Sequence, residues 1–423
     1  MRAELRLGTR LAVERAAVWL MASRGDGVAR LVSSPWRADP YPTYARLREG
    51  TGVYRSKLRI TSVATHALCS KVLRDRTFGV RSTDGAEPPP FAASGLPGEV
   101  EVIPSMLEVD APDHTRLRAL ARPAFSPAKI TGYRAGIEEA TARLLERALA
   151  KDRFDLMADF AAPLPITVIS ALLGIPDVDS AAFVRYGRVL GASLDGTKSV
   201  RHARALRTAN RELRALFTRL IAERTADPGP DVISALATST GLTALELATT
   251  CELLLIAGFE TTTNLIGNAV WTFARNPDQW DRLRADPALV GAAVDEVLRY
   301  EPPVQMTARI PHRDTEVAGT PVAANSMVIV LLGSAGRDPA AFERPDEFDI
   351  GRPKGADHLA FSSGAHYCLG APLARLEGEI ALGALAGALP AITAVAEPKW
   401  RKTTVIRGLS ELWLSPGTGS RAG

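Results

Sequence analysis

Phe361-Ser362-Ser363-Gly364-Ala365-His366-Tyr367-Cys368-Leu369-Gly370 closes a loop directly ahead of a long apolar helical pattern. Upstream of the cysteine, Gly364 and its small neighbours let the backbone fold tightly beneath a flat object. Downstream, the first amides of the following helix lack partners within that helix and point toward the sulfur. A helix N-terminus lowers a thiol pKa, so position 368 reads as a thiolate aimed at a metal. The competing reading is a buried cysteine that packs as a small hydrophobe. It leaves the glycine, the histidine and the helix start around Cys368 unexplained.

The chain has 423 residues, 46% hydrophobic and 23% charged, enough for a large core. Its three cysteines, Cys69, Cys251 and Cys368, are odd in number and far apart. That is no disulfide framework and suits a reducing compartment, so a cytoplasmic location is expected. A net charge of +4 with no basic run excludes a nucleic-acid footprint. Arginines at positions 2, 6, 10 and 15 precede the apolar run Ala16 to Ala22. This run is too short to span a bilayer and reads as an amphipathic helix, with packing on the protein favoured over contact with lipid.

Helical periodicity broken by proline and glycine dominates, which makes the chain mainly α with a small β-rich region. Helices are expected after Pro112, over 136–150, over 202–225 with Leu206, Leu213, Phe217 and Leu220 on the apolar side, over 289–300 and over 372–389. From Thr243 to Asn276-Pro277 the pattern is apolar nearly all round, which describes a helix through the protein's centre. Residues 304–310 and 326–332 are the best strands, and 351–358 reads as a loop.

Inside the long helix, Ala257-Gly258-Phe259-Glu260-Thr261 sets an acid beside an alcohol where hydrocarbon is the rule. A buried carboxylate is costly unless paired or wetted. Gly258 would let a bound molecule approach the backbone, and the Thr261 hydroxyl can bond back to the carbonyl four residues earlier or hold a water. Glu296 and Arg299 are spaced to pair on one helix face. His114 and Arg118 share a face as well, and two cations there suit paired carboxylates. No second cysteine or close histidine pair supports a zinc site, and no glycine-rich fingerprint follows a strand to hold a dinucleotide.

The 361–370 run resembles the cysteine loop of the cytochrome P450 family, the haem-thiolate monooxygenases, whose pattern is Phe-Gly-x-Gly-x-His-x-Cys-x-Gly. Only Ser362 departs from it, standing where the family most often has glycine. The segment 257–261 is similar to the family's oxygen-activation motif, and Glu296-Val297-Leu298-Arg299 to its Glu-x-x-Arg motif. The motifs follow in order from about residue 36 to 415, and the soluble bacterial branch is the nearest in kind.

The resemblance implies a single prism-shaped domain over 36–423, enclosing haem b and preceded by an amphipathic helical extension over 1–35. Cys368 would be the axial metal ligand, and His114, Arg118, Arg309 and His366 would bind the haem propionates. Glu260 and Thr261 would be the catalytic pair that delivers protons for O–O cleavage, which favours O2 plus two electrons over peroxide. Glu296 and Arg299 would form a structural ion pair beneath the loop. The family's usual third arginine is absent, because Glu347 takes its place in Pro345-Asp346-Glu347-Phe348, so the third partner stays open.

A hydrophobic small-molecule substrate, hydroxylated or epoxidised, would meet Phe91, Leu254, Ala257, Gly258, Val304, Thr307 and Leu409. Electrons from NAD(P)H would arrive through a ferredoxin reductase and a ferredoxin docked at Arg116 and Arg375, on a monomer serving secondary metabolism. The alternatives are a haem-thiolate enzyme that rearranges its substrate without external electrons and a non-catalytic haem sensor. The acid-alcohol pair argues against the first, and the lack of an appended signalling segment against the second.

Overall fold

The computed structural model of the protein describes residues 2–84, 105–176, 180–239 and 241–416. Its principal helices are α1 (Arg2–Ser23), α2 (Asp113–Ala121), α3 (Pro127–Leu149), α4 (Pro163–Leu173), α5 (Ser180–Ser193), α6 (Val200–Ala226), α7 (Ala244–Ala274), α8 (Val290–Tyr300) and α9 (Ala371–Ala388). The helix that organises the rest is α7. Thr243 caps it reciprocally: its hydroxyl accepts from the Glu246 N–H at 3.2 Å, and the Glu246 carboxylate accepts from the Thr243 N–H at 2.8 Å. Pro277, which lacks an N–H, opens the next helix rather than extending this one. Between these ends α7 packs on α4, α5, α6, α8 and α9. Its buried residues lie on nearly every side, as the uninterrupted apolar pattern requires.

Helix α3 starts at Pro127 rather than near Gly136. Proline is well suited to a first helical turn, and neither Gly132 nor Gly136 has a neighbour that would interrupt the helix. Along α6 the apolar side is Ala203, Ala209, Leu213, Phe217 and Leu220, all buried, while Leu206 is only half-buried. The sheet contains β1 (Val53–Arg55), β2 (Thr61–Val63), β3 (Phe78–Gly79), β4 (Thr307–Pro311) and β5 (Val328–Val330), in the order β1-β2-β5-β4-β3. Thr307 faces Val330 and Arg309 faces Val328 across the antiparallel β4–β5 pair. The strand expected from 304 begins later, since Val304 only makes an isolated bridge to Ile406. A hairpin of β6 (Lys399–Trp400) and β7 (Leu409–Glu411) lies near the C-terminal end. One apolar core runs through the helices, and smaller ones fill the space around the sheet.

Helix α9 carries one polar residue into the packing. Glu377 is buried, and its Oε2 has no hydrogen-bond partner among the described residues. Burial pushes its carboxyl up from 4.5 to about 8. The folded-state value is raised, so the stabilisation from holding the proton is complete below the unfolded value and is lost as pH climbs through about 8. Glu377→Gln has no charge to bury. Its melting temperature is therefore expected to hold between pH 6 and 9 while that of the parent falls, and parallel melting curves for the two proteins would refute this.

Candidate active site

The Cys368 N–H donates to the Phe361 carbonyl at 2.9 Å and the Tyr367 N–H to the Gly364 carbonyl at 3.1 Å, which closes the loop ahead of α9. Gly364 has φ +69°, which favours glycine, and a Cβ there would stand 2.3 Å from the Leu73 carbonyl oxygen, which requires it. Ser362 takes a left-handed conformation too, with φ +63°. It thus adopts the backbone that glycine would supply, and its hydroxyl accepts from Arg309 at 3.4 Å.

Of the three cysteines, Cys368 is the exposed one, while Cys69 and Cys251 are buried. Dense packing around the sulfur still lets burial raise the Cys368 thiol pKa. The N–H groups of Gly370 and Ala371, with Arg118 and Arg375, act in the opposite direction. The helix amides expected to favour the thiolate are present, and desolvation acts against them.

The four side chains expected to hold an anion come together at this loop. Arg118 donates to the Tyr367 carbonyl at 2.7 Å, and Arg309 reaches Ser362. The rings of His114 and His366 lie 4.1 Å apart. Burial, with His366 and Arg118 nearby, lowers the His114 pKa to about 4. Burial also lowers the Arg309 pKa, to about 10, against the attraction of Asp110. Asp110, overlooked in the sequence, lies 3.8 Å from His366 and accepts from the Val80 and Arg81 N–H groups at 3.0 Å. Its position four residues before His114 was the available signal.

In α7 the Thr261 hydroxyl donates to the Ala257 carbonyl at 2.9 Å, the back-bonded alternative. Glu260 is buried and paired with Arg401, which follows β6. These partners are 141 residues apart, so no local pattern pointed to Arg401. Gly258 departs from expectation: a Cβ there would lie 2.9 Å from Ile169 of α4. The space beside it is filled by helix packing, not left open to a bound molecule. Ala257 is exposed, Val304 and Thr307 are half-buried, and Leu254 and Leu409 are buried in the core. Phe91 lies outside the described residues.

Glu296 and Arg299 pair through two contacts, at 2.7 and 2.8 Å, with both side chains buried. The open third partner is Arg352, whose Nε lies 3.2 Å from both Glu296 carboxylate oxygens. Glu347 contributes its backbone carbonyl, to Arg299 at 3.0 Å and to Arg352 at 2.7 Å, while its carboxylate pairs with Arg344. The two arginines named for docking are engaged elsewhere. Arg116 pairs with Asp113 and Glu246, and Arg375 pairs with Asp295 at 2.9 Å.

The family model described as cytochrome P450 matches residues 197–386. The cytochrome P450 monooxygenase PikC of Streptomyces venezuelae is 38% identical over 401 residues, 91% of this chain and 93% of that protein. The chain belongs to the cytochrome P450 family. The polyketide biosynthesis cytochrome P450 PksS of Bacillus subtilis is 37% identical over 318 residues, 73% of this P450 and 77% of that one. Among solved structures, P450BioI in complex with hexadec-9Z-enoic acid ligated acyl carrier protein superposes with a TM-score of 0.83. It is 35% identical, and the match covers 90% of this P450 and all of that chain. The donor set fits haem: an exposed cysteine stands at a helix start, beside basic side chains that already surround the carboxylate of Asp110.

Proposed function

We propose that this P450 inserts one atom of O2 into a hydrophobic small molecule, by hydroxylation or epoxidation, using electrons passed from NAD(P)H through a ferredoxin reductase and a ferredoxin. The observation that carries this reading is the buried Glu260, held by Arg401 and adjacent to Thr261, in the same chain as the Cys368 loop. Cys368 would hold haem b, with Arg118, Arg309, His114 and His366 at its propionates, in a single domain beginning near residue 36. When bound, the haem supplies a thiolate-ligated iron suited to activating O2.

The chain's own contribution is proton control. Thr261 would present its hydroxyl by exchanging the Ala257 carbonyl for another acceptor, and Glu260 would pass a proton inward when its contact with Arg401 loosens. Exposed Ala257 and half-buried Val304 and Thr307 support an apolar substrate. Kinship with a polyketide-biosynthesis P450 and with one complexed to an acyl carrier protein supports an aliphatic acyl or polyketide chain. With Arg116 and Arg375 engaged, exposed Arg122 is the better docking cation for an acidic ferredoxin.

Thr261→Ala tests the relay. Electron consumption is expected to stay within about twofold while product falls by about tenfold or more and hydrogen peroxide takes its place. Unchanged product yield would remove the assigned role.

A further inference from the structure

Helix α1 has two apolar sides, and only one is covered. Leu7 is buried and packs with Leu11, Val200 and Ala203, while Glu4 pairs with Arg204 of α6 at 2.8 Å. Positions 4, 7 and 11 therefore define the side that faces the protein. Leu5, Val13, Ala16 and Leu20 recur at helical spacing on the opposite side, and all are exposed. Leu5 is 73% exposed, Val13 64%, Trp19 52% and Leu20 44%. These four are among nine exposed large hydrophobics in the described residues, so the concentration on one helix is a patch rather than scatter.

The edges of the stripe are basic. Arg6 and Arg10 flank one side, and Arg15 with Trp19 the other, all of them exposed. Arg10 pairs with Glu14 at 3.5 Å, and the other acid of the helix, Glu4, is turned toward α6. An apolar stripe bordered by arginines and a tryptophan has the composition of a helix lying in a lipid interface. A two-fold contact with a second copy would bring the same arginines toward one another. No helix among the described residues is long and apolar enough to cross a membrane, which leaves a surface contact.

We propose that the outward stripe of α1 seats this P450 on the surface of an anionic phospholipid bilayer, with Leu5, Val13, Trp19 and Leu20 in the interface and Arg6 and Arg15 at the headgroups. The helix then serves both readings of the sequence, with one side packed on the protein and the other on lipid. The test is co-sedimentation of the full chain with vesicles of phosphatidylcholine alone or mixed with phosphatidylglycerol. Binding to the mixed vesicles is expected to exceed binding to the neutral ones by about tenfold and to weaken with added salt. Leu5→Ser with Val13→Ser and Leu20→Ser, and separately Arg6→Glu with Arg15→Glu, should each lower it by about tenfold or more. These exposed positions lie outside the core, and an unchanged melting temperature checks that the fold is intact. Equal binding to both vesicles, no binding to either, or a dimer in solution that the serine variant dissolves would each overturn the proposal.

Discussion

The parent protein, purified with haem, reduced and exposed to carbon monoxide, is expected to give the red-shifted Soret band of thiolate ligation, and Cys368→Ser to lack it. Turnover should fall by about 10³-fold or more, equivalent to roughly 4 kcal/mol of barrier. The cause is electronic rather than architectural. The loop is closed by the Cys368 N–H bond to Phe361 and the Tyr367 N–H bond to Gly364, and serine preserves both. What changes is a soft, polarizable sulfur for a hard oxygen that holds its proton more tightly. Circular dichroism and the melting temperature should therefore stay close to the parent. A variant that kept the band would show that another group ligates the iron.

Glu296→Ala is expected to cost about 3–5 kcal/mol of stability, read from urea unfolding, because removing one partner of a buried pair leaves charge uncompensated. Two guanidiniums are affected. Arg299 is 3% exposed and Arg352 lies 3.2 Å from the same carboxylate. Arg299 would keep its carbonyl partners at Gly336, Pro345 and Glu347, but those oxygens cannot neutralise it. Glu347→Ala supplies the contrast. Only its backbone carbonyl serves the cluster, and its exposed carboxylate pairs with Arg344, so a loss within about 1 kcal/mol is expected. Equal losses for the two variants would contradict this division of roles.

Much of the fold was legible because local physics and tertiary packing agreed. Thr243 and Glu246 cap the long helix, Pro277 begins the next element, and the apolar residues between have neighbours on every side. The start of α3 was less legible, because Gly132 and Gly136 resemble breaks until their surroundings are known. At the site, Cys368, His366, His114, Arg118 and Arg309 were found as residue types, and the structure brings them to one loop. Asp110, Arg352 and Arg401 were missed, as their significance lies in contacts with distant segments.

By itself the sequence marked Cys368, His366, His114, Arg118 and Arg309 as candidates and showed where the main helices run, since capping, proline geometry and apolar periodicity act over a few residues. Tertiary structure alone decided which charges are paired, that Ile169 occupies the space beside Gly258, that burial pulls the His114 pKa down, and that one side of α1 is left uncovered. Those outcomes depend on desolvation and on atoms brought close from far along the chain, and neither is encoded in local spacing.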